Sequence, residues 1–375
     1  MPEMAVRMDE AIDRAIAGNR IVGAVVMAAK GGEIVFRRAA GLADREAGRR
    51  LAEDAIFRLA SVSKPMVAAT ALALIERGVL GLDEPATRWL PDFQPRLANG
   101  TTPEITVRHL LTHTSGLGYG DLAPGDPYRP ARISGGLDQP GLAMAENLRR
   151  IASVPLYFVP GAAWRYGVSI DVLGAAIEQA TGGRLGDAVA TYVTGPLGMS
   201  DTGFAVTDRA RLATPYAEDI PPNAMGDACE VTGELGRGTY FVPGRIFDAA
   251  SFHSGGAGMV GTAPDFLAFL EAIRAGGEPI LKPETVELAA RNHIGDLPRE
   301  EKDAGWRFGL MSAVLADPAA AQSPQSPGTL QWGGIYGHSW FIDRARDLSV
   351  VAFTNTAVEG CLGAFPKEIV RAACD

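Results

Sequence analysis

Two β-rich hydrophobic runs flank Lys30-Gly31-Gly32 in IVGAVVMAAKGGEIVFRRAAGLAD, a pattern that predicts a β-hairpin. Ahead of it, Ala5, Met8, Ile12 and Ile16 recur at helical spacing, as on an amphipathic surface helix. FRLA predicts a short strand running into a helix over about 62–77 that stops near Gly78. Residues 80–165 are rich in Pro and Gly, with helical patches such as ITVRHLLTH and AENLRRIAS. Stronger helical patterns follow in SIDVLGAAIEQATG and RLGDAVATYV, and 200–250 reads as loop. A helix within SGGAGMVGTAPDFLAFLEAIRAGG and the segment PETVELAARN lead into a β-rich tail. Its strands are WRFGLMSAVLA, GTLQWGG, YGHSWFIDR and LSVVAFTNT, and a helix over about 363–373 closes the chain.

Strands therefore sit at both ends and helices dominate the middle. That order predicts an α/β fold of the α+β type: one antiparallel sheet built from both termini, with a mostly helical region inserted. The expected division is a sheet domain from 1–78 and 248–375 and a helical domain from 79–247. Strands and helices do not alternate, which argues against a doubly wound sheet or a barrel.

The 375 residues carry a net charge of −9 with both signs interspersed, so no basic surface for nucleic acid or anionic lipid is expected. No apolar stretch is long enough to span a bilayer. The N-terminal stretch lacks the basic start and apolar run of a secretory signal, so a cytoplasmic location is expected. Cys229, Cys361 and Cys374 are an odd, widely spaced set that supports neither a disulfide framework nor a zinc site. His109 and His113 in HLLTH lack the glutamate of HExxH and an obvious third ligand, so local hydrogen bonding outweighs a metal role.

The candidate chemistry starts at Ser61. Of fourteen serines, only Ser61 has a lysine three residues on, Lys64. Pro65 belongs in a first helical turn, which puts Ser61 at the helix start and Lys64 on nearly the same side. A serine hydroxyl is a weak nucleophile until a base takes its proton, and a buried, unpaired lysine is able to do so. The pair fits acyl transfer, with the Ser61 amide helping to hold an oxyanion. The same spacing also suits an N-cap serine beside a surface lysine. Tyr166, on a turn before a helix, is able to share the base role and protonate a leaving group, or to be an ordinary loop tyrosine. Gly333 and Gly334 would let a substrate carbonyl approach a strand edge, with Ile335 N–H as a second oxyanion donor and Trp332 and Trp340 as apolar walls. The alternative there is a sheet bend with aromatic packing. Gly337-His338-Ser339 begins like a hydrolase elbow, but Phe341 replaces its closing glycine.

Together, FRLASVSKP, LLTHTSGLGY, GGAGM, TLQWGGIYGHSWF and TNTA resemble the serine β-lactamase and penicillin-binding-protein superfamily. Within it, the chain looks like the class C branch, and there like the family VIII carboxylesterases. The resemblance implies an antiparallel sheet flanked by helices, a helical region, and an active site between the two. It implies Ser61 as nucleophile, Lys64 and Tyr166 as the general-base pair, and the Ser61 and Ile335 amides as oxyanion hole. Tyr119 and Trp332 match aromatic positions that line the substrate pocket, and no metal or other cofactor is implied. Lactamases of this branch carry Tyr-x-Asn and Lys-Thr-Gly where this chain has Tyr166-Gly167-Val168 and Trp332-Gly333-Gly334. Two polar contacts to a β-lactam are thereby replaced by apolar groups. The expected partner is a small, neutral ester, with β-lactam attack or acyl transfer to another alcohol as alternatives on the same residues.

Overall fold

The structure, a computed structural model, describes residues 2–120, 125–217, 219–231, 238–299 and 303–375. Helix α1 (Pro2–Ala17) precedes the hairpin of β1 (Gly23–Lys30) and β2 (Glu33–Asp44), with β3 (Arg49–Arg50) beyond it. β4 (Phe57–Arg58) leads into α2 (Ser63–Glu76), and α3 (Val107–Leu111), α4 (Met144–Ala152), α5 (Ser169–Thr181) and α6 (Leu185–Val189) follow. The loop-rich stretch holds two small hairpins, β5 (Tyr216–Ala217) with β6 (Asn223–Ala224) and β7 (Cys229–Val231) with β8 (Thr239–Phe241). β9 (Val260–Gly261), α7 (Ala263–Arg274) and α8 (Pro283–Ala289) precede five strands: β10 (Trp306–Phe308), β11 (Ala313–Leu315), β12 (Leu330–Gly334), β13 (His338–Asp343) and β14 (Leu348–Thr354). Helices α9 (Glu359–Leu362) and α10 (Ala364–Cys374) end the chain.

The main sheet runs β10-β11-β12-β13-β14-β1-β2-β3, antiparallel throughout. The N-terminal β1 pairs with the C-terminal β14, joining the two ends of the chain in the middle of the sheet. Both faces of β1 are covered. Val25, Met27 and Ala29 point into one core, and Ala24, Val26 and Ala28 into another with Met8, Ile12, Phe365 and Ile369 of α1 and α10. That alternation is the period of two of a pleated strand. Helix α2 is buried from Ser63 to Leu74, which explains why it is apolar all round rather than amphipathic.

Two elements differ from the pattern read in the sequence. WRFGLMSAVLA forms two strands, because the chain turns at Gly309–Ser312, where Gly309 N–H bonds Ser312 O at 2.9 Å. A Cβ on Gly309 would lie 2.4 Å from Ala289 O, so the turn is held against the end of α8. RLGDAVATYV is α-helical only to Val189 and continues as one π-helical turn, Ala190–Thr194. No described helix is long and apolar enough to cross a membrane.

Candidate active site

Ser61 stands on a tight connection between a strand and a helix. β4 pairs with β9, Leu59 N–H bonds Met259 O at 2.9 Å, and a 3-10 turn at Ala60–Val62 then hands over to α2. Ala60 is fully buried at φ +45°, a region that L residues rarely adopt. Such strain persists only where the surroundings over-determine it, and it collects at functional sites. The anchors on either side, Leu59 and Val62, are fully buried. Pro65 falls in the first turn of α2, as expected.

Lys64 is 3% exposed, and its Nζ bonds Ser61 Oγ at 3.1 Å, Tyr119 OH at 2.9 Å and Gly256 O at 2.8 Å. These partners are all uncharged oxygens. Tyr166 OH bonds Ser61 Oγ at 2.7 Å, and Lys64 Nζ lies 4.6 Å from the Tyr166 ring centre. Ser61 Oγ is therefore the shared partner of the lysine and the tyrosine. The tyrosine ring is held in an aromatic box by Tyr119 at 5.3 Å, Trp332 at 5.2 Å, His113 at 4.8 Å and Trp164, stacked at 6.3 Å. Burial, then the nearby Lys64 and Arg299 charges, hold the His113 imidazole well below its ordinary pKa, so it sits in the box as a neutral ring. Burial of the Tyr119 hydroxyl, reinforced by Tyr166 and Asp171, pushes that phenol well above its ordinary value. Tyr119 thus stays protonated and serves Lys64 as a neutral partner.

Trp332 closes the box from β12, edge-on to Tyr166 and to Phe308, with the Arg299 guanidinium 5.3 Å from its ring. Trp340 is its cross-strand partner on the same face but sits at a different place in the core. It is 3% exposed and packs edge-on against Phe266 of α7, so it is a core residue and not a pocket wall. A Cβ on Gly334 would lie 2.3 Å from Leu59 O, and one on Gly333 would lie 2.5 Å from His338 O. Gly334 therefore lets β12 press on the turn carrying Ser61, which brings Ile335, the next residue, to that turn, while Gly333 lets β12 and β13 close up at His338. Ser339 is mid-strand in β13, opposite Gly333 and Ala352. His109 Nδ1 accepts from Thr106 N–H in a capping box, and among the described residues no His, Cys, Asp or Glu cluster could hold a metal ion.

Several neighbours carried no role in the sequence reading. Gly256 supplies a backbone carbonyl, which residue identity does not reveal. Asp171, 1% exposed, was detectable as a lone acid in the apolar helix SIDVLGAAI. Beside Ala60 and Ile335, the loop-rich segment contributes Met225, Val231 and Phe241 to an apolar wall that Tyr336, from the β12–β13 turn, completes.

A Beta-lactamase family model matches residues 8–366. The chain is 53% identical to Esterase EstB of Burkholderia gladioli, over 96% of this chain and 92% of that one. Among solved structures, EstCE1, a hydrolase with promiscuous acyltransferase activity, superposes with a TM-score of 0.94 at 42% identity, covering 100% of this chain and 99% of the other. Unliganded simvastatin synthase from Aspergillus terreus gives a TM-score of 0.76 at 26% identity, over 99% and 98% of the two chains. A fold, a serine on a strained turn and a match of this extent lead to one assignment: the chain belongs to the beta-lactamase family.

Proposed function

We propose that this protein is a serine carboxylesterase that cleaves small, apolar acyl esters through an acyl-enzyme on Ser61. The observation that carries the reading is the position of Ser61 Oγ, 2.7 Å from Tyr166 OH and 3.1 Å from Lys64 Nζ. Ser61 Oγ attacks the ester carbonyl carbon while its proton passes into the Lys64–Tyr166 pair. The carbonyl oxygen gains negative charge, which the Ser61 and Ile335 N–H groups stabilise. Collapse breaks the bond to the alkoxide oxygen, and Tyr166 delivers the proton that lets the alcohol leave. Water then attacks the acyl-enzyme by the same route and releases the carboxylic acid. Tyr119 and Trp332 line the entrance with aromatic surface, and Gly333 and Gly334 keep the strand edge close to the reacting carbonyl. The helical region, 79–247, contributes Tyr119 and Tyr166, and the sheet region, 1–78 and 248–375, contributes Ser61, Lys64 and Trp332.

Acyl transfer to an alcohol other than water needs the same residues. It is favoured as a side activity by the likeness to EstCE1, which is described as having it. Replacement of the lactamase Asn by Val168 and of the strand Lys by Trp332 supports esters over β-lactams as the main substrate. The test is hydrolysis of p-nitrophenyl butyrate by wild type and Ser61→Ala, with folding checked by circular dichroism. Activity confined to the wild type is expected; turnover by a folded Ser61→Ala overturns the reading.

A further inference from the structure

Asp171 lies behind the catalytic group rather than in it. It is in the first turn of α5, five residues after Tyr166, and both it and Ser254 are buried. Its Oδ1 accepts from Ser254 Oγ at 2.5 Å and from Gly256 N–H at 3.1 Å. Ser254 Oγ in turn accepts from Ala257 N–H at 3.0 Å. The Ala257 N–H belongs to the same peptide unit as Gly256 O, which accepts from Lys64 Nζ at 2.8 Å. A continuous relay thus runs from carboxylate to serine hydroxyl to peptide to lysine, and each link polarises the next.

The turn is built for this contact. A Cβ on Gly256 would lie 2.5 Å from Asp171 Oδ2, and one on Gly255 would lie 2.5 Å from Ile170 O. Only glycines allow residues 255–256 to approach α5 so closely. The Gly256 carbonyl also differs in kind from the other two partners of Lys64. A hydroxyl is able to donate or accept, whereas a carbonyl only accepts. One Lys64 N–H must therefore point at Gly256 in either protonation state, which turns the rest of the amine toward Ser61 and Tyr119.

We propose that Asp171 is a positioning residue for acyl transfer: acting through Ser254 and the Gly256–Ala257 peptide, it orients Lys64 and steadies the positive charge that forms there as the Ser61 proton is taken up. The inference rests on the esterase reading above. Burial raises the Asp171 carboxyl above its ordinary value, and Ser254, Lys64, Gly256 and Arg245 only partly oppose that rise. The titratable and charged groups around the pair are Tyr119 and His113 from the segment after α3, Tyr166 before α5, Arg245 from the turn at 243–247, and Arg299. Among these described groups Asp171 is the one carboxylate that reaches Lys64 through hydrogen bonds.

The experiment compares pH profiles of kcat and kcat/KM for wild type, Asp171→Asn and Ser254→Ala with p-nitrophenyl butyrate, normalised to active sites by burst titration. An asparagine keeps an oxygen for Ser254 and Gly256 but removes the charge. The expected result for Asp171→Asn is kcat about ten- to a hundred-fold lower with KM little changed. Its acidic limb should move by about one unit to lower pH, because a base without its anion holds a proton less well. Ser254→Ala, which keeps the carboxylate and cuts the relay, should move the limb the same way by less. Variants that fold and titrate normally with the wild-type profile overturn the inference. So does a loss confined to the number of titratable sites, which marks a purely structural role. If Asp171→Asn does not fold, the Ser254→Ala profile decides. A wild type without esterase turnover defeats the esterase reading instead.

Discussion

Tyr166 OH and Ser61 Oγ lie 2.7 Å apart, close enough for the two hydroxyls to exchange donor and acceptor roles without either side chain moving. The tyrosine is immobilised by rings on several sides, so its oxygen is delivered rather than found by search. Tyr166→Phe keeps the ring packing and removes only this contact. The expected outcome is a fall in kcat of about a hundred-fold or more with a melting temperature near that of wild type. A Tyr166→Phe enzyme with normal kcat would remove the tyrosine from the mechanism.

Lys64 is buried among uncharged oxygens, an arrangement that contributes function rather than stability. Lys64→Met replaces it with a side chain of similar length in a largely apolar helix. The exchange leaves Gly256 O without its Lys64 donor while adding an apolar side chain that suits the buried helix. We expect esterase activity to be lost while stability, read from urea denaturation, falls by no more than about 1–3 kcal/mol. A large destabilisation would make Lys64 a structural residue first.

The contact between Gly334 and Leu59 O sets the spacing between strand and nucleophile. Gly334→Ala forces a Cβ into a carbonyl that belongs to the Ser61 turn. It should cost about 1–3 kcal/mol of stability and lower kcat as well, because the turn has to shift. A Gly334→Ala protein with unchanged kinetics would show that β12 and the turn are not coupled.

How much of this was legible in the sequence depended on the kind of signal. Ser61 and Lys64 could be paired because both lie on one short stretch with helical spacing. Tyr166 is far away in sequence: its phenol on a turn before a helix makes it a candidate, and the resemblance to a family supplies its pairing with Lys64. Trp332 and Trp340 could not be told apart, since both occupy the same face of adjacent strands and only position along the sheet sends one to the site. Gly334 was recognised as a place of close approach, but the approaching group is Leu59 O rather than substrate alone. The Gly256 carbonyl was invisible because a backbone acceptor has no residue signature. The tail strand WRFGLMSAVLA reads as continuous because its hydrophobicity does not lapse at the turn; the break comes from packing of Gly309 against Ala289.

A pH dependence of stability follows from His338. It is 1% exposed, its Nε2 donates to Arg58 O at 2.8 Å, and its Nδ1 has no partner among the described residues. Burial holds its pKa down to about 4 from 6.5. Unfolded chains therefore bind this proton more readily than folded ones between those values. Stability is full above the unfolded pKa and falls as pH drops from about 6.5 toward 4, by about 3 kcal/mol from this group alone. Urea midpoints measured from pH 7 to pH 4 should fall more steeply for wild type than for His338→Gln. Parallel curves would contradict it.

The most direct measurement is acid-quenched mass spectrometry of the protein during turnover of p-nitrophenyl butyrate, followed by peptide mapping. The mechanism predicts one butyryl group per chain, located on the peptide containing Ser61 and absent from Ser61→Ala. A butyryl group mapped to any other residue, or esterase turnover that persists in Ser61→Ala, would contradict the central claim that Ser61 carries the acyl group.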